Sequence, residues 1–242
     1  MVREIRRWIV IDCACVIHGD AYDFEYVHKL YRGLQRGFGK SAFALHVYTE
    51  EDRIVPEPYI KHSLQDMRKH NCKKGWWYKT QLFDRKQFNG QIIYFDLDVA
   101  ITGDLGWILE LDTKYFWGIR DFRYLFNPRR RELNSSVMYF NTDKFNYVWS
   151  EFKISPETYM NKMHGDQNFI DRQIPQEQKR FFDESRVKSW RWELFDGGYD
   201  IETRKHKLPG AGTNIPINTS IVVFHGKPKI HEINDSEIDK YW

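Results

Sequence analysis

The hydrophobic pattern of the chain reads as short apolar runs separated by longer stretches with helical spacing. The first run, RRWIVIDCACVI, is rich in β-branched residues and bounded by charge before it and His18-Gly19-Asp20 after it, which predicts a strand. YDFEYVHKLYRGLQRGF follows, with Phe24, Val27, Leu30, Tyr31 and Leu34 at helical intervals and Gly37 and Gly39 closing the pattern. SAFALHVYTEED predicts a second strand that ends in polar residues. Beyond Pro56 and Pro58, HSLQDMRKH and then WWYKTQLF read as helices, and QIIYFDLD reads as a third strand. Strand, helix, strand, helix, strand in the first hundred residues or so implies a parallel sheet with crossover helices. Further on, YFWGIRDF and SSVMYFNTD predict strands. GDQNFIDRQI predicts a short helix with Asp166 near its N-terminal end, and IVVFHGKPKIHE predicts a final strand running into a polar loop. With no internal repeat, low-complexity segment or linker, the expectation is one α/β domain with a mainly parallel, Rossmann-like sheet.

In such sheets ligands bind beyond the carboxyl ends of the strands. The polar residues after the three N-terminal strands (Cys15 to Asp20, Thr49 to Asp52, Asp96 to Asp98) are therefore expected on one edge. Asp96 and Asp98 draw most attention. They end an apolar strand although Asp is disfavoured in strands and rarely buried without a partner. Residues i and i+2 on a strand face the same way, so the two carboxylates can converge on one cation. Oxygen-only ligands suit Mg²⁺ or Mn²⁺, and such hard cations suit phosphate oxygens. The plainer alternative is a turn in which Asp98 starts the reversal and Asp96 accepts backbone hydrogen bonds.

Composition narrows the class. A length of 242 residues, 41% apolar and 29% charged, fits a globular protein rather than a disordered chain. Aromatic residues make up 17%, including nine Trp and fourteen Tyr, more than a core alone calls for and suited to stacking on sugar or base rings. Thirty-seven basic against thirty-four acidic residues give a net charge of +3, which excludes a uniformly basic nucleic-acid-binding surface but not a local patch. Cys13, Cys15 and Cys72 form neither a disulfide framework nor a zinc motif, and the first two read as small core residues. The N-terminus makes a poor signal peptide because Asp12 interrupts its apolar run. No window approaches the ~20 apolar residues of a membrane span. The expected location is the cytoplasm, of a bacterium or a phage-infected host.

Two chemistries place D-x-D after a strand. Phosphatases of the haloacid-dehalogenase type use the first Asp as nucleophile, with the motif near the N-terminus and followed by Gly and a hydroxyl residue. Here Val99-Ala100 follow instead. Nucleotide-sugar-dependent glycosyl transfer uses the carboxylates to hold a metal on the donor diphosphate, with a nucleotide-binding unit upstream. The order of elements matches the second. A non-catalytic sugar- or nucleic-acid-binding module stands as a third reading.

An ordered set of motifs then resembles the A-type-fold (GT-A) glycosyltransferases, in particular glycosyltransferase family 8 and its bacterial and phage relatives. The set comprises GDAYDFEYVHKLYRGLQR, HVYTEED, GWWYKTQLF, FDLDVAITGDL, LNSSVMYFN, GDQNFI and VVFHGKPK. The resemblance implies a nucleotide-binding half over residues 1–100 and a sugar- and acceptor-binding half over 101–242. It implies a retaining mechanism and a nucleoside-diphosphate-sugar donor, UDP-linked in the first instance. Asp96, Asp98 and His225 would hold Mn²⁺ or Mg²⁺. Tyr22 would lie near the nucleotide, and Gly226, Lys227 and Lys229 would meet the diphosphate, either lysine serving. Lys79 would contact the donor unless it is a solvated helix lysine. Asn134 and Ser135 would bind sugar hydroxyls, and Asp166 and Gln167 would stand beside the anomeric carbon on the acceptor side. Two departures from the family pattern are Ser136, in place of a Gly, and the shortened HGKPK. His164 and His231 carry no role and are expected on the surface.

The acceptor is the least constrained part. Arg129, Arg130 and Arg131 follow Asn127-Pro128 in a loop with Phe122, Tyr124 and Phe126 nearby, suited to a phosphorylated or nucleic-acid acceptor. Trp190 and Trp192 form a further wall or simply pack into the core. A glycan, a lipid-linked sugar and a modified DNA base all remain open.

Overall fold

The computed structural model describes residues 10–70, 72, 74–195, 199–200, 205–206 and 213–242. The start of the first predicted strand, before Val10, lies outside the described residues, as do residues 196–198 of the Trp-rich segment. The first strand, β1 (Ile11–Val16), leads into helix α1 (Glu25–Phe38) and β2 (Phe43–Thr49). Helix α1 forms where its apolar stripe predicts, burying Tyr26, Val27, Leu30, Leu34 and Phe38. It stops at Gly39, whose φ of 59° lets its N–H reach back to the Gln35 carbonyl.

The next stretch departs from expectation. The segment read as a helix around HSLQDMRKH instead opens with an edge strand, β3 (Ile60–Ser63), parallel to β2, and contributes only a 3-10 turn at Arg68–His70. Its β-branched start and the vacant edge of β2 outweigh a weak helical spacing. The WWYKTQLF segment is helical as expected but of the tighter 3-10 type, over Gly75–Phe83. Strand β4 (Gln91–Phe95) follows, then β5 (Val99–Ile101), β6 (Phe116–Arg120) and β7 (Leu133–Asn141). Helices α2 (Thr142–Phe145), α3 (Tyr147–Ile154), α4 (Pro156–Lys162) and α5 (Asp166–Gln173) come next. Short strands complete the order: β8 (Lys179–Phe181), β9 (Val187–Ser189), β10 (Tyr199–Asp200), β11 (Lys205–His206) and β12 (Ile221–Val223).

The main sheet runs β3-β2-β1-β4-β7-β6-β8, mixed but mostly parallel, with β7 antiparallel to both of its neighbours. Successive residues point to opposite faces, and both faces are covered. Cys13, Cys15, Val47, Ile93 and Phe95 pack toward α1, while Ala14, Tyr48, Ile92 and Tyr94 pack toward the 3-10 helix, α3 and α5. The expected core role of Cys13 and Cys15 holds: both are fully buried.

A second sheet, β5-β12-β9, positions the site. Strand β5 starts directly after Asp98 and runs antiparallel to β12, with Val99 opposite Val223. The Phe224 N–H donates to the Asp98 carbonyl at 3.1 Å. A motif near residue 98 and one near residue 225 are thereby brought side by side. Among the described residues no helix is long and apolar enough to cross a membrane.

Candidate functional site

Three aspartates and two lysines meet at the carboxyl end of β4. Asp96 and Asp98 leave the strand on either side of Leu97, and Asp166 opens α5. The Lys79 ammonium lies between carboxylates, 2.8 Å from Asp96 Oδ1 and 3.4 Å from Asp166 Oδ2. It also donates to the carbonyl and the hydroxyl of Ser135. Lys79 is 7% exposed, so the solvated-lysine alternative is excluded. Burial pushes its pKa down, but Asp166 and Asp96 outweigh that and hold it charged. Lys229 does the corresponding job at Asp98, 2.5 Å from Oδ2, where Tyr22 also donates its hydroxyl at 3.2 Å. Lys227 is exposed, so Lys229 is the lysine that reaches the D-x-D motif. Gly226, at φ 78°, is exposed beside it.

Asp98 and Asp166 are both buried, and desolvation raises both pKa values; Asp96 adds to the rise in each case. Three carboxylates against two ammoniums leave a formal deficit of positive charge. Each D-x-D carboxylate commits one oxygen: Asp96 Oδ1 takes Lys79 and the Tyr94 hydroxyl, and Asp98 Oδ2 takes Lys229 and Tyr22. Among the described residues, Asp96 Oδ2 and Asp98 Oδ1 accept no hydrogen bond. Two uncommitted hard oxygens in a negatively biased pocket suit a divalent cation.

His225 fits less directly. No group of three or more His, Cys, Asp or Glu among the described residues is arranged to hold a metal ion. The imidazole instead bonds Ser189 Oγ through Nε2 at 2.7 Å, stacks on Phe122 and meets the edge of Trp192. Burial, then the nearby Arg191, lowers its pKa to about 4, so the ring is neutral at neutral pH, the form a metal requires. With Nε2 held by Ser189, ligation would fall to Nδ1.

The residues expected on the sugar side lie together. The β6–β7 register shifts after Gly118, with Met138 opposite Gly118 but Asn134 opposite Ile119, and this irregularity leaves Ser135, Ser136 and Val137 without a partner on β6. Ser135 Oγ donates to Asp166 at 3.1 Å, and its N–H meets Gln167 Oε1 at 3.4 Å. Asn134 accepts the Ser136 N–H on its side-chain Oδ1. Asp121 is the residue that sequence reasoning missed. It is buried, accepts from the Gln167 amide at 3.0 Å, and takes a bidentate pair from Arg123. Burial raises its pKa, but the bonds from Arg123 overcome that and hold it low, so it stays ionised and fixes which end of the Gln167 amide faces inward. Its only trace in the sequence is an acid at the end of the apolar run YFWGIRDF.

The other expected residues separate. Trp190 is core, stacked on Phe224 and bonded to Thr213, whereas Trp192 is half-buried against His225. Arg129 and Arg131 are exposed beyond the site, and Arg130 pairs with Glu132. His164 is exposed as expected, and His231 is exposed yet bonded to the Tyr26 hydroxyl. The ends of β1 and β2 do converge, on a cleft of about 680 Å³ beside the D-x-D pocket. There His18 stacks on Tyr78 at 3.7 Å, and Glu50 ties Gly19 to Arg53. Tyr78 faces this cleft while its neighbour Lys79 faces the carboxylates.

No protein-family model matches the chain, and no curated protein matches its sequence. Solved structures do match. Two structures of the galactosyltransferase LgtC, one an active-site glutamine mutant and one in complex with donor and acceptor sugar analogues, align over 90% of this chain. Their TM-scores are 0.64 and 0.61 at 12% identity, covering 89% and 88% of those chains. The glycosyltransferase GlyE of Streptococcus pneumoniae aligns at TM-score 0.63 and 16% identity over 90% of this chain and 56% of its own. Mouse xyloside xylosyltransferase 1 aligns at 0.50 and 15% identity, over 92% of this chain and all of its own. The chain therefore has the GT-A fold, in the form found in these glycosyltransferases of family 8.

Proposed function

We propose that the protein is a metal-dependent, retaining glycosyltransferase that moves a sugar from a nucleoside diphosphate, UDP in the first instance, onto an acceptor. The observation that carries this reading is the pair of uncommitted carboxylate oxygens on Asp96 and Asp98, flanked by Lys79, Lys229 and Asp166 on the fold of known glycosyltransferases. Asp96 and Asp98 would hold Mn²⁺ or Mg²⁺, with His225 joining through Nδ1. The cation supplies charge neutralisation for the departing diphosphate. Lys229 exchanges its bond to Asp98 for a phosphate oxygen, and Tyr22 steadies that carboxylate meanwhile. The nucleoside takes the adjacent cleft, whose volume suits it and where the His18–Tyr78 stack offers an aromatic surface.

Asn134 and Ser135 bind sugar hydroxyls. Asp166 and the Gln167 carboxamide, oriented by Asp121, face the anomeric carbon and stabilise positive charge developing there. Lys79 bridges Asp96 and Asp166 and fixes the position of each relative to the other. A thermal-shift panel of nucleoside diphosphates and nucleotide sugars tests the reading. Uridine nucleotides should raise the Tm only with Mn²⁺ present; if no nucleotide stabilises the protein under either condition, the reading fails.

A further inference from the structure

The eleven residues between Asp121 and Leu133 form a loop whose two ends are anchored in the site just described. At its start, Asp121 holds Gln167; just past its end, Leu133 donates to Asp171 of α5 and leads into Asn134 and Ser135. The loop itself is held rigidly. The Arg120 guanidinium donates to the carbonyls of Arg130 and Pro128, pairs with Glu184 and lies 4.6 Å over the Tyr124 ring. Asn127 Oδ1 accepts from the Arg129 N–H. This clamp presents a pocket of about 370 Å³ lined by Asn127, Arg129, Arg130, Arg131, Glu132 and Gln176.

Charge in that pocket is unbalanced. Glu132 takes Arg130, while Arg129 and Arg131 have no acidic partner among the described residues. Consecutive guanidiniums repel, and a planar, weakly hydrated donor fork is well matched to phosphate oxygens. Leu125 and Phe126 adjoin the arginines and remain 37% and 43% exposed, an apolar rim on a charged pocket. Phe126, next to the pocket residue Asn127, meets the edge of Trp192, which in turn packs against His225 at 4.5 Å, so ring contacts lead from the loop to His225, whose neighbour Phe224 donates its N–H to the Asp98 carbonyl.

Resting on the glycosyltransferase reading, we propose that this loop is the acceptor seat, and that the acceptor is an amphiphile carrying a phosphate group. The phosphate sits on Arg129 and Arg131, the apolar chain lies over Leu125 and Phe126, and the sugar end follows Phe126 and Trp192 toward Gln167. A short, shallow patch carrying two guanidiniums without an acidic partner, next to exposed Leu125 and Phe126, suits a discrete phosphate head better than a long polyanion, which needs an extended basic track.

Calorimetric titration of the full chain with dodecyl phosphate, inorganic phosphate and dodecyl maltoside, each below its micellar concentration, tests this. Dodecyl phosphate should bind more tightly than inorganic phosphate, and dodecyl maltoside most weakly. The double variant Arg129→Ala/Arg131→Ala should lose about tenfold or more toward both phosphate ligands, the loss of one or two charge-assisted bonds. The pair Leu125→Ser/Phe126→Ser should erase the advantage of the alkyl chain and leave inorganic phosphate unaffected. Both variants change exposed side chains and should keep Mn²⁺-dependent UDP binding. Wild-type affinity for the phosphates in the arginine variant would overturn the proposal. Equal binding of dodecyl and inorganic phosphate, or displacement of dodecyl phosphate by a single-stranded oligonucleotide, would overturn its amphiphile part. Loss of UDP binding in the wild type, with dodecyl phosphate still bound through Arg129 and Arg131, would sink the glycosyltransferase reading and leave the phosphate pocket standing.

Discussion

Lys79 can be buried and charged because two carboxylates, those of Asp166 and Asp96, meet it. Removing one partner of such a buried arrangement leaves uncompensated charge and typically costs about 3–5 kcal/mol. Lys79→Met keeps the volume and deletes the charge, so it should destabilise the protein by about that amount and lower the Tm by on the order of 10 °C. Urea unfolding of the variant checks this, and unchanged stability would mean that Asp96 and Asp166 do not depend on the ammonium. Legibility in the sequence differed residue by residue for physical reasons. Asp96 and Asp98 stood out because acids at the end of an apolar strand need an explanation. Lys79 did not, because a lysine in a mixed polar and aromatic segment looks the same whether its ammonium meets water or a carboxylate. Asp121 was hidden for a different reason: its role lies in a contact with Gln167, forty-six positions away.

At the scale of elements, the D-x-D turn and His225 are held together by the β5–β12 pairing, and β5 is held in turn by α1. Two glycines on α1 permit that approach. A Cβ at Gly37 would lie 2.7 Å from Leu105 Cγ and 2.9 Å from Ile101 Cγ2, and one at Gly33 would lie 3.1 Å from Ile101 Cγ1. Gly37 looked in the sequence like a helix terminator, but it lies within α1 as a packing residue, and Gly39 is the terminator. Gly37→Ala should therefore destabilise by about 1–3 kcal/mol, despite alanine's better helix propensity. Because the strain falls on β5, it should also weaken Mn²⁺-dependent nucleotide binding. A variant as stable as the parent would show that α1 and β5 can separate without cost. The strands with strong apolar periodicity, β1, β2, β4 and β7, were legible. The three-residue strands β5, β8 and β9 were not, since so short a run carries no period and is defined only by its partner strand, whereas the equally short β12 showed as the continuous apolar run IVVF.

For the whole molecule, the fold sets the chemistry by topology: a mostly parallel sheet delivers β1, β2 and β4 to one edge, and the second sheet returns the C-terminal segment to it. The order of motifs along the chain anticipated this convergence, because each motif sits at an element end that the topology brings to the same edge. The acceptor was not legible in that order, since loop surfaces follow no periodic rule; it is the exposed arginine pocket and its apolar rim that give it chemical character. The central claim is that Asp96 and Asp98 hold a divalent cation that carries the donor diphosphate. Calorimetric titration of UDP into the protein, with Mn²⁺ and then with excess chelator, tests it most directly. Binding should appear only with Mn²⁺ and vanish in Asp98→Ala, whereas equal binding in chelator, or undiminished Mn²⁺-dependent binding in that variant, would contradict the account.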